Sequence, residues 1–262
     1  MIFPKNIDDM KIISYKSAVS IAQQFAKEIS ELFGSKLLAV YAIGSLGADY
    51  YRPGQSDIDT ALIFSISRNE LFEVGTLCGK IADKYYKEYD IPKGFGAVVF
   101  AEEQLFPPYR KEEELILEVL RLKTQSKQVY GSYSLDKVPF PDKKAIIDDA
   151  KHFQEWADSE KERDPDFYIK DTVSLVNSTL IALKRYLMIE KDIVDFNKFH
   201  TISLYLENDP PIVCTDLFDF IESELNRQNN IETELSKDLF DRFIKEHDQI
   251  YETINRIVFV DC

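Results

Sequence analysis

Apolar residues recur along this chain in two different rhythms. Over residues 16–33, Val19, Ala22, Phe25, Ala26, Ile29, Leu32 and Phe33 return at steps of three and four, the stripe of an amphipathic helix, and Gly34 stands where a left-handed cap would end it. The period then disappears. Leu37 to Ile43 is apolar without a break, which predicts a strand buried on both faces over 36–43. Ile58, Ala61, Leu62, Ile63 and Phe64 predict a second strand over 57–65, and Gly94 to Phe100 a third over 94–101. Between these two, Leu71, Val74, Leu77, Cys78, Ile81 and Tyr85 mark a helix over 69–88. Beyond Pro107-Pro108 a helix is expected over 111–128, and its opening Glu112, Glu113 and Glu114 suit the positive end of a helix dipole.

From Ala145 onward every pattern is helical. Val173, Val176, Leu180, Leu183 and Leu187 form one stripe, and Phe240, Phe243, His247, Ile250, Ile254 and Ile257 another. Shorter helices are expected over 146–163, 196–207 and 213–227, which makes a bundle of about five helices. Gly131 to Lys144, with Pro139 and Pro141, has the composition of a linker. The fold class expected is α+β: a mixed sheet with flanking helices over residues 1–135, followed by an all-helical bundle over 145–262.

The chemistry lies between the first two strands. Gly44-Ser45 follows the first strand directly, and Asp57-Ile58-Asp59 opens the second; the intervening Leu46 to Ser56 is rich in Gly, Asp, Tyr and Pro and reads as a loop. Carboxylates on alternate residues of a strand point to one face, where a pair can hold a divalent cation. A small flexible turn can lay backbone N–H groups and a hydroxyl against phosphate. Ser56 and Arg52 are further phosphate candidates, Arg52 because its planar fork matches phosphate oxygens.

Gly44-Ser45 followed by Ser56-Asp57-Ile58-Asp59 resembles the signature of the DNA polymerase β-like nucleotidyltransferase superfamily. The approach Pro53-Gly54-Gln55-Ser56-Asp57-Ile58-Asp59 is most similar to the streptomycin- and spectinomycin-type aminoglycoside nucleotidyltransferases. The motif covers about two dozen residues, while the order of elements extends the likeness over most of the chain. The resemblance implies an enzyme that moves a nucleoside monophosphate from ATP or another nucleoside triphosphate to a hydroxyl. It also implies Mg2+ on Asp57 and Asp59, two ions once nucleotide is bound, and the triphosphate tail on Gly44 and Ser45. The family normally carries a third carboxylate on a later strand. Here that strand is Gly94 to Phe100, and Phe95 or Gly96 falls where the acid belongs. Asp90, Glu102 or Glu103 could supply it; otherwise the site has two acids and binds nucleotide weakly or without turnover, as a silent, antitoxin-like regulatory module would.

Charge narrows the acceptor. Of 262 residues, 32 are Lys or Arg and 46 Asp or Glu, for a net charge of −14. Residues 151–262 carry 13 of the cations and 24 of the acids. A nucleic-acid enzyme needs basic surface to neutralise phosphates, so this balance argues against a nucleic-acid partner; the acidic helical half reads either as a solvated surface or as one that draws a small, cationic acceptor, and the resemblance raises an aminoglycoside as that acceptor. Glu155, Trp156, Asp158, Asp164 and Asp166 are candidates to grip its amines. Met1 to Asn6 lacks the apolar core of a signal peptide and no run reaches membrane-span length, so a cytoplasmic location is expected. Cys78, Cys214 and Cys262 have neither zinc nor disulfide spacing, and Cys78 and His247 fall on core stripes.

Overall fold

The computed structural model describes residues 12–91, 93–109, 116–163, 169–227 and 235–260. Glu112, Glu113, Glu114, Asp164, Asp166 and Cys262 lie outside them, as does the side chain of Trp156. The described residues divide into two compact units, one of residues 12–109 and 118–141, the other of 116–117 and 142–260.

In the first unit, helix α1 (Tyr15–Phe33) begins where the Ser14 hydroxyl accepts from the Ser17 N–H, and it ends at Gly34 with φ +55°, whose N–H donates to the Ser30 carbonyl. Strand β1 (Leu37–Ile43) runs into a one-turn helix, α2 (Gly44–Gly47), and the chain returns as β2 (Ile58–Phe64), antiparallel to β1. Helix α3 (Leu71–Tyr89) then crosses over to β3 (Phe95–Ala101), the connection that a parallel β2–β3 pair requires. Helix α4 (Ile116–Thr124) leads into β4 (Ser126–Gly131), antiparallel to β1 on its other side. The sheet order is β3-β2-β1-β4. A mixed sheet with flanking helices and helices following it is the α+β arrangement expected.

Each sheet face has its own core. Phe25 and Ile29 of α1 and Val74 and Cys78 of α3 pack with Val40, Ile58 and Leu62 on one side. Val119 and Leu122 of α4 pack with Tyr41, Ile43, Ala61, Ile63 and Phe100 on the other. Alternation along β2 therefore sends Asp59 to the face that α4 covers, because Ala61 and Ile63 share its parity.

Two expectations are corrected. The helix expected to reach residue 128 stops at Thr124, where the Gln125 N–H closes onto the Arg121 carbonyl, and the chain straightens into β4. Residues 131–138 are no linker: Gly131 pairs with Ala39, Tyr133 and Val138 are buried, and the Tyr41 hydroxyl donates to the Tyr133 carbonyl. Proline and glycine mark irregular backbone there, but the core still claims it.

The second unit holds α5 (Lys143–Arg163), α6 (Thr172–Glu190), α7 (Thr201–Glu207), α8 (Thr215–Asn226) and α9 (Lys237–Val260). Helix α6 is buried on nearly every side, so it forms the axis of the bundle. His247 of α9 is 2% exposed and bonds Ser178 of α6 at 2.7 Å, a packed core histidine. Cys78 and Cys214 are buried free thiols. Among the described residues no helix is long and apolar enough to cross a membrane.

Candidate nucleotide and metal site

The site forms where β1 ends and β2 begins. Antiparallel pairing sets Ile43 opposite Asp59, so Gly44, the next residue, emerges beside the Asp59 side chain. Gly44 has φ +62°, and a Cβ added there would lie 3.4 Å from Asp59 Oδ2 and 2.1 Å from Nη2 of Arg121. Only glycine satisfies both the backbone and the space. The Ser45 hydroxyl that follows is buried and has no hydrogen-bond partner among the described residues.

The loop between the two halves of the motif is pinned on both sides. Tyr15 of α1 donates to Asp49 Oδ1 at 2.6 Å, and Lys127 of β4 donates to the Tyr15 hydroxyl at 3.1 Å. The Arg52 N–H donates to Ser56 Oγ at 3.0 Å, while the Gln55 and Ser56 N–H groups close onto the Arg52 carbonyl. The two secondary phosphate candidates thus face each other across one tight turn that delivers Asp57 to the strand. Tyr51 is 8% exposed, its ring set edge-on to Tyr15 and its buried hydroxyl without a partner among the described residues. Burial, and after it the Asp57 charge, holds that phenol above its usual pKa.

Asp59 sits at the centre. Burial, the neighbouring Asp57 charge and a smaller push from Glu118 raise its carboxyl to about 6, against the opposing pull of Arg121. Arg121 Nη2 donates to Asp59 Oδ2 at 2.8 Å, and Nη1 lies 3.5 Å from Glu118 Oε2, one helical turn back on α4. Burial works against the guanidinium charge, but Glu118 and Asp59 outweigh it and hold Arg121 above its ordinary pKa. Sequence reasoning missed Arg121, Glu118 and Tyr51. The signal available for the first two was a Glu-x-x-Arg pair on a helix, a spacing that brings side chains together.

Parallel pairing sets Gly96 of β3 opposite Asp59, and a Cβ there would stand 2.4 Å from Asp59 Oδ1. The strand position facing Asp59 is therefore a glycine whose space the Asp59 carboxylate uses. Glu102 and Glu103 lie beyond Ala101, at the opposite end of the same strand pair, about 20 Å away at the rise of a β-strand. Asp90 is the left-handed cap of α3. Among the described residues no three His, Cys, Asp or Glu side chains converge as a metal-binding group. Two carboxylates beside an unpartnered hydroxyl fit an ion that draws the rest of its shell from phosphate oxygens and water, as Mg2+ does.

A mixed sheet with an Asp-x-Asp pair opening one strand and a Gly-Ser turn closing its neighbour is the arrangement that the sequence motif led one to expect. Among solved structures, the chain is similar to spectinomycin adenyltransferase AAD(9) from Enterococcus faecialis, with ATP and spectinomycin: 14% identity over 90% of this chain and 99% of that one, TM-score 0.59. At that identity the likeness establishes the fold. A toxin-antitoxin structure with AMP-PNP matches 54% of this chain and 91% of its own at 16% identity, TM-score 0.28. The tri-AMPylated Shewanella oneidensis HEPN toxin in complex with MNT antitoxin matches 57% and 92% at 16% identity, TM-score 0.29. No family model matches the sequence, and no curated protein matches it.

Proposed function

We propose that the chain is a Mg2+-dependent nucleotidyltransferase that moves a nucleoside monophosphate from ATP, or another nucleoside triphosphate, to a hydroxyl of a small acceptor. The observation that carries this reading is the meeting of Asp59 with the Gly44-Ser45 turn, whose buried hydroxyl has no partner among the described residues. Asp57 and Asp59 hold the metal, and Gly44 and Ser45 offer N–H and hydroxyl donors to the β- and γ-phosphates. The bound ion supplies charge neutralisation at the α-phosphate and the leaving pyrophosphate. The protein's part is positioning: the pinned loop fixes Asp57, and the sheet register fixes Asp59. Arg52 and Ser56 shape the turn before Asp57 and stand near enough in sequence to assist phosphate binding.

The surplus of acids in the helical half, Glu155 and Asp158 exposed on α5 among them, supports a cationic acceptor through its overall field. AAD(9), similar in fold, is described with spectinomycin, and an aminocyclitol or aminoglycoside is the acceptor class to try first. The glycine opposite Asp59 favours a second reading, a nucleotide-binding module that turns over slowly or not at all. Pyrophosphate release decides between them. With Mg2+, each triphosphate and a panel of aminocyclitols, the unmodified protein should release pyrophosphate and Asp57→Asn or Asp59→Asn should lose at least about a thousandfold while staying folded. Full turnover in both variants would refute the metal-site assignment, and binding without release across the panel would favour the silent module.

A further inference from the structure

Arg121 stands in a place that the Asp-x-Asp chemistry leaves unexplained. Its Nη2 donates to Asp59 Oδ2 at 2.8 Å and occupies the space that any side chain at Gly44 would need, so the guanidinium lies against both halves of the motif at once. Its other terminal nitrogen lies 3.5 Å from Glu118 Oε2 on the same helix, an ion pair without a hydrogen bond. A guanidinium has five N–H donors in a planar fork, and the fork matches phosphate oxygens better than any other side chain. Here it is aimed at the turn that also presents the unpartnered Ser45 hydroxyl.

Two cations compete for one carboxylate in this arrangement. A divalent ion on Asp59 must share Oδ2 with Arg121, displace it, or take Oδ1 on the Gly96 side with the guanidinium still on the same carboxylate, and like charges at such distances repel strongly where water is scarce. A triphosphate resolves the conflict, because its oxygens lie between the two cations and can take the arginine that the metal releases. Resting on the nucleotidyltransferase reading given above, we propose that Arg121 is a triphosphate-binding residue held in reserve on Asp59: it opposes metal binding in the absence of nucleotide and swings, still paired with Glu118, onto the phosphate tail when metal and nucleotide arrive together. Metal alone should therefore bind weakly, and metal with nucleotide cooperatively.

The test uses the full chain and two variants, Arg121→Met and Arg121→Lys, with thermal melts to confirm folding. Mn2+ binding is followed by electron paramagnetic resonance without nucleotide, and a fluorescent ATP analogue is titrated with Mn2+ present. Arg121→Met should bind Mn2+ alone at least threefold tighter than the unmodified protein and the Mn2+-nucleotide at least tenfold more weakly. Arg121→Lys should restore the resistance to metal alone and recover part of the nucleotide affinity. Effects of opposite sign separate this role from simple damage, which would weaken both. If Arg121→Met weakens both or changes neither, the proposal is overturned. If the unmodified protein binds the analogue and Arg121→Met binds it equally well, the role of Arg121 falls and nucleotide binding stands; if the unmodified protein binds no triphosphate with any metal, the underlying reading falls, and Arg121's phosphate role with it.

Discussion

The β2–β3 pair carries carboxylates and an arginine at both ends, in two opposite settings. At the end where the strands begin, Asp59 and Arg121 are each about three-quarters covered, and Gly44 and Gly96 crowd them with backbone rather than side chains. At the end where the strands finish, Arg68 Nε meets Glu103 Oε1 at 3.2 Å; the Arg68 side chain is only 13% exposed, but its Glu103 partner is 56% exposed and stands in water. Glu102, beside it, adds its charge to burial in pushing the Tyr133 phenol up to about 12. Water reaches the far pair through Glu103, so the carboxylate there is screened and the pair stabilises little. At the near end the carboxylate itself is covered: burial and the neighbouring Asp57 charge raise it to about 6, and a cation placed beside it matters. Residue type does not separate the two ends; glycine and burial do.

The sharpest way to break the contrast is to fill the near end. In Gly96→Ala the new Cβ meets Asp59 Oδ1 at 2.4 Å, so the carboxylate must move by a substantial fraction of an ångström or the strands must part. Displacement on that scale costs about a hundredfold in a reaction that depends on positioning. Strain of this kind also costs about 1–3 kcal/mol of stability. Pyrophosphate release and a thermal melt on the same sample measure both effects. Wild-type activity in Gly96→Ala would mean that Asp59 does not need the position it holds.

The legible parts of this molecule are those where one segment carries its own evidence. Strands β1 and β2 declare themselves because burial on both faces demands an unbroken apolar run, and helices α1, α3 and α9 because a single core face demands a stripe. The motif was equally visible, since Gly44-Ser45 and Asp57-Ile58-Asp59 are both local. Strand β4 was not. Ser126-Lys127-Gln128-Val129-Tyr130-Gly131 is an edge strand, half open to solvent, and takes its conformation from pairing with β1 rather than from its own pattern. Arg121 escaped notice for a related reason: it lies 62 residues from Asp59, and only the placement of α4 over that sheet face brings the two together. Of Phe95 and Gly96, the two positions the sequence offered, the register sets Gly96 opposite Asp59.

A milder probe of the near end is pH. Asp59 must be ionised to hold a metal, and its carboxyl titrates at about 6, so metal-dependent transfer should fall as pH drops through 6, approaching tenfold per unit below it. Stability of the nucleotide-free protein should move the other way. The folded value lies above the ordinary 3.8, so between pH 4 and 6 the folded state holds more protons than the unfolded one, and Asp59's contribution weakens stability as pH rises through that window. Melting temperatures across pH 4–7 should therefore show a falling component that Asp59→Asn removes. Identical pH slopes in the two proteins would show that the carboxyl is not raised.

The smallest effect should come from the far end, and its smallness is the point. In Glu102→Gln, Glu103→Gln and the double variant, the Arg68 contact is neutralised and the Glu102 charge beside Tyr133 is removed, while the register that sets Gly96 against Asp59 is untouched. Exposed ion pairs contribute about 0–1 kcal/mol, so the melting temperature should shift by a few degrees at most. Pyrophosphate release should stay within about twofold, since a screened charge some 20 Å away lies beyond a Debye length from Asp59. A large loss of turnover in Glu102→Gln or Glu103→Gln, with folding intact, would place a catalytic carboxylate at the far end. It would also mean that the strand pair bends or shifts register when substrate binds, because nothing in the present pairing lets either glutamate reach Asp59.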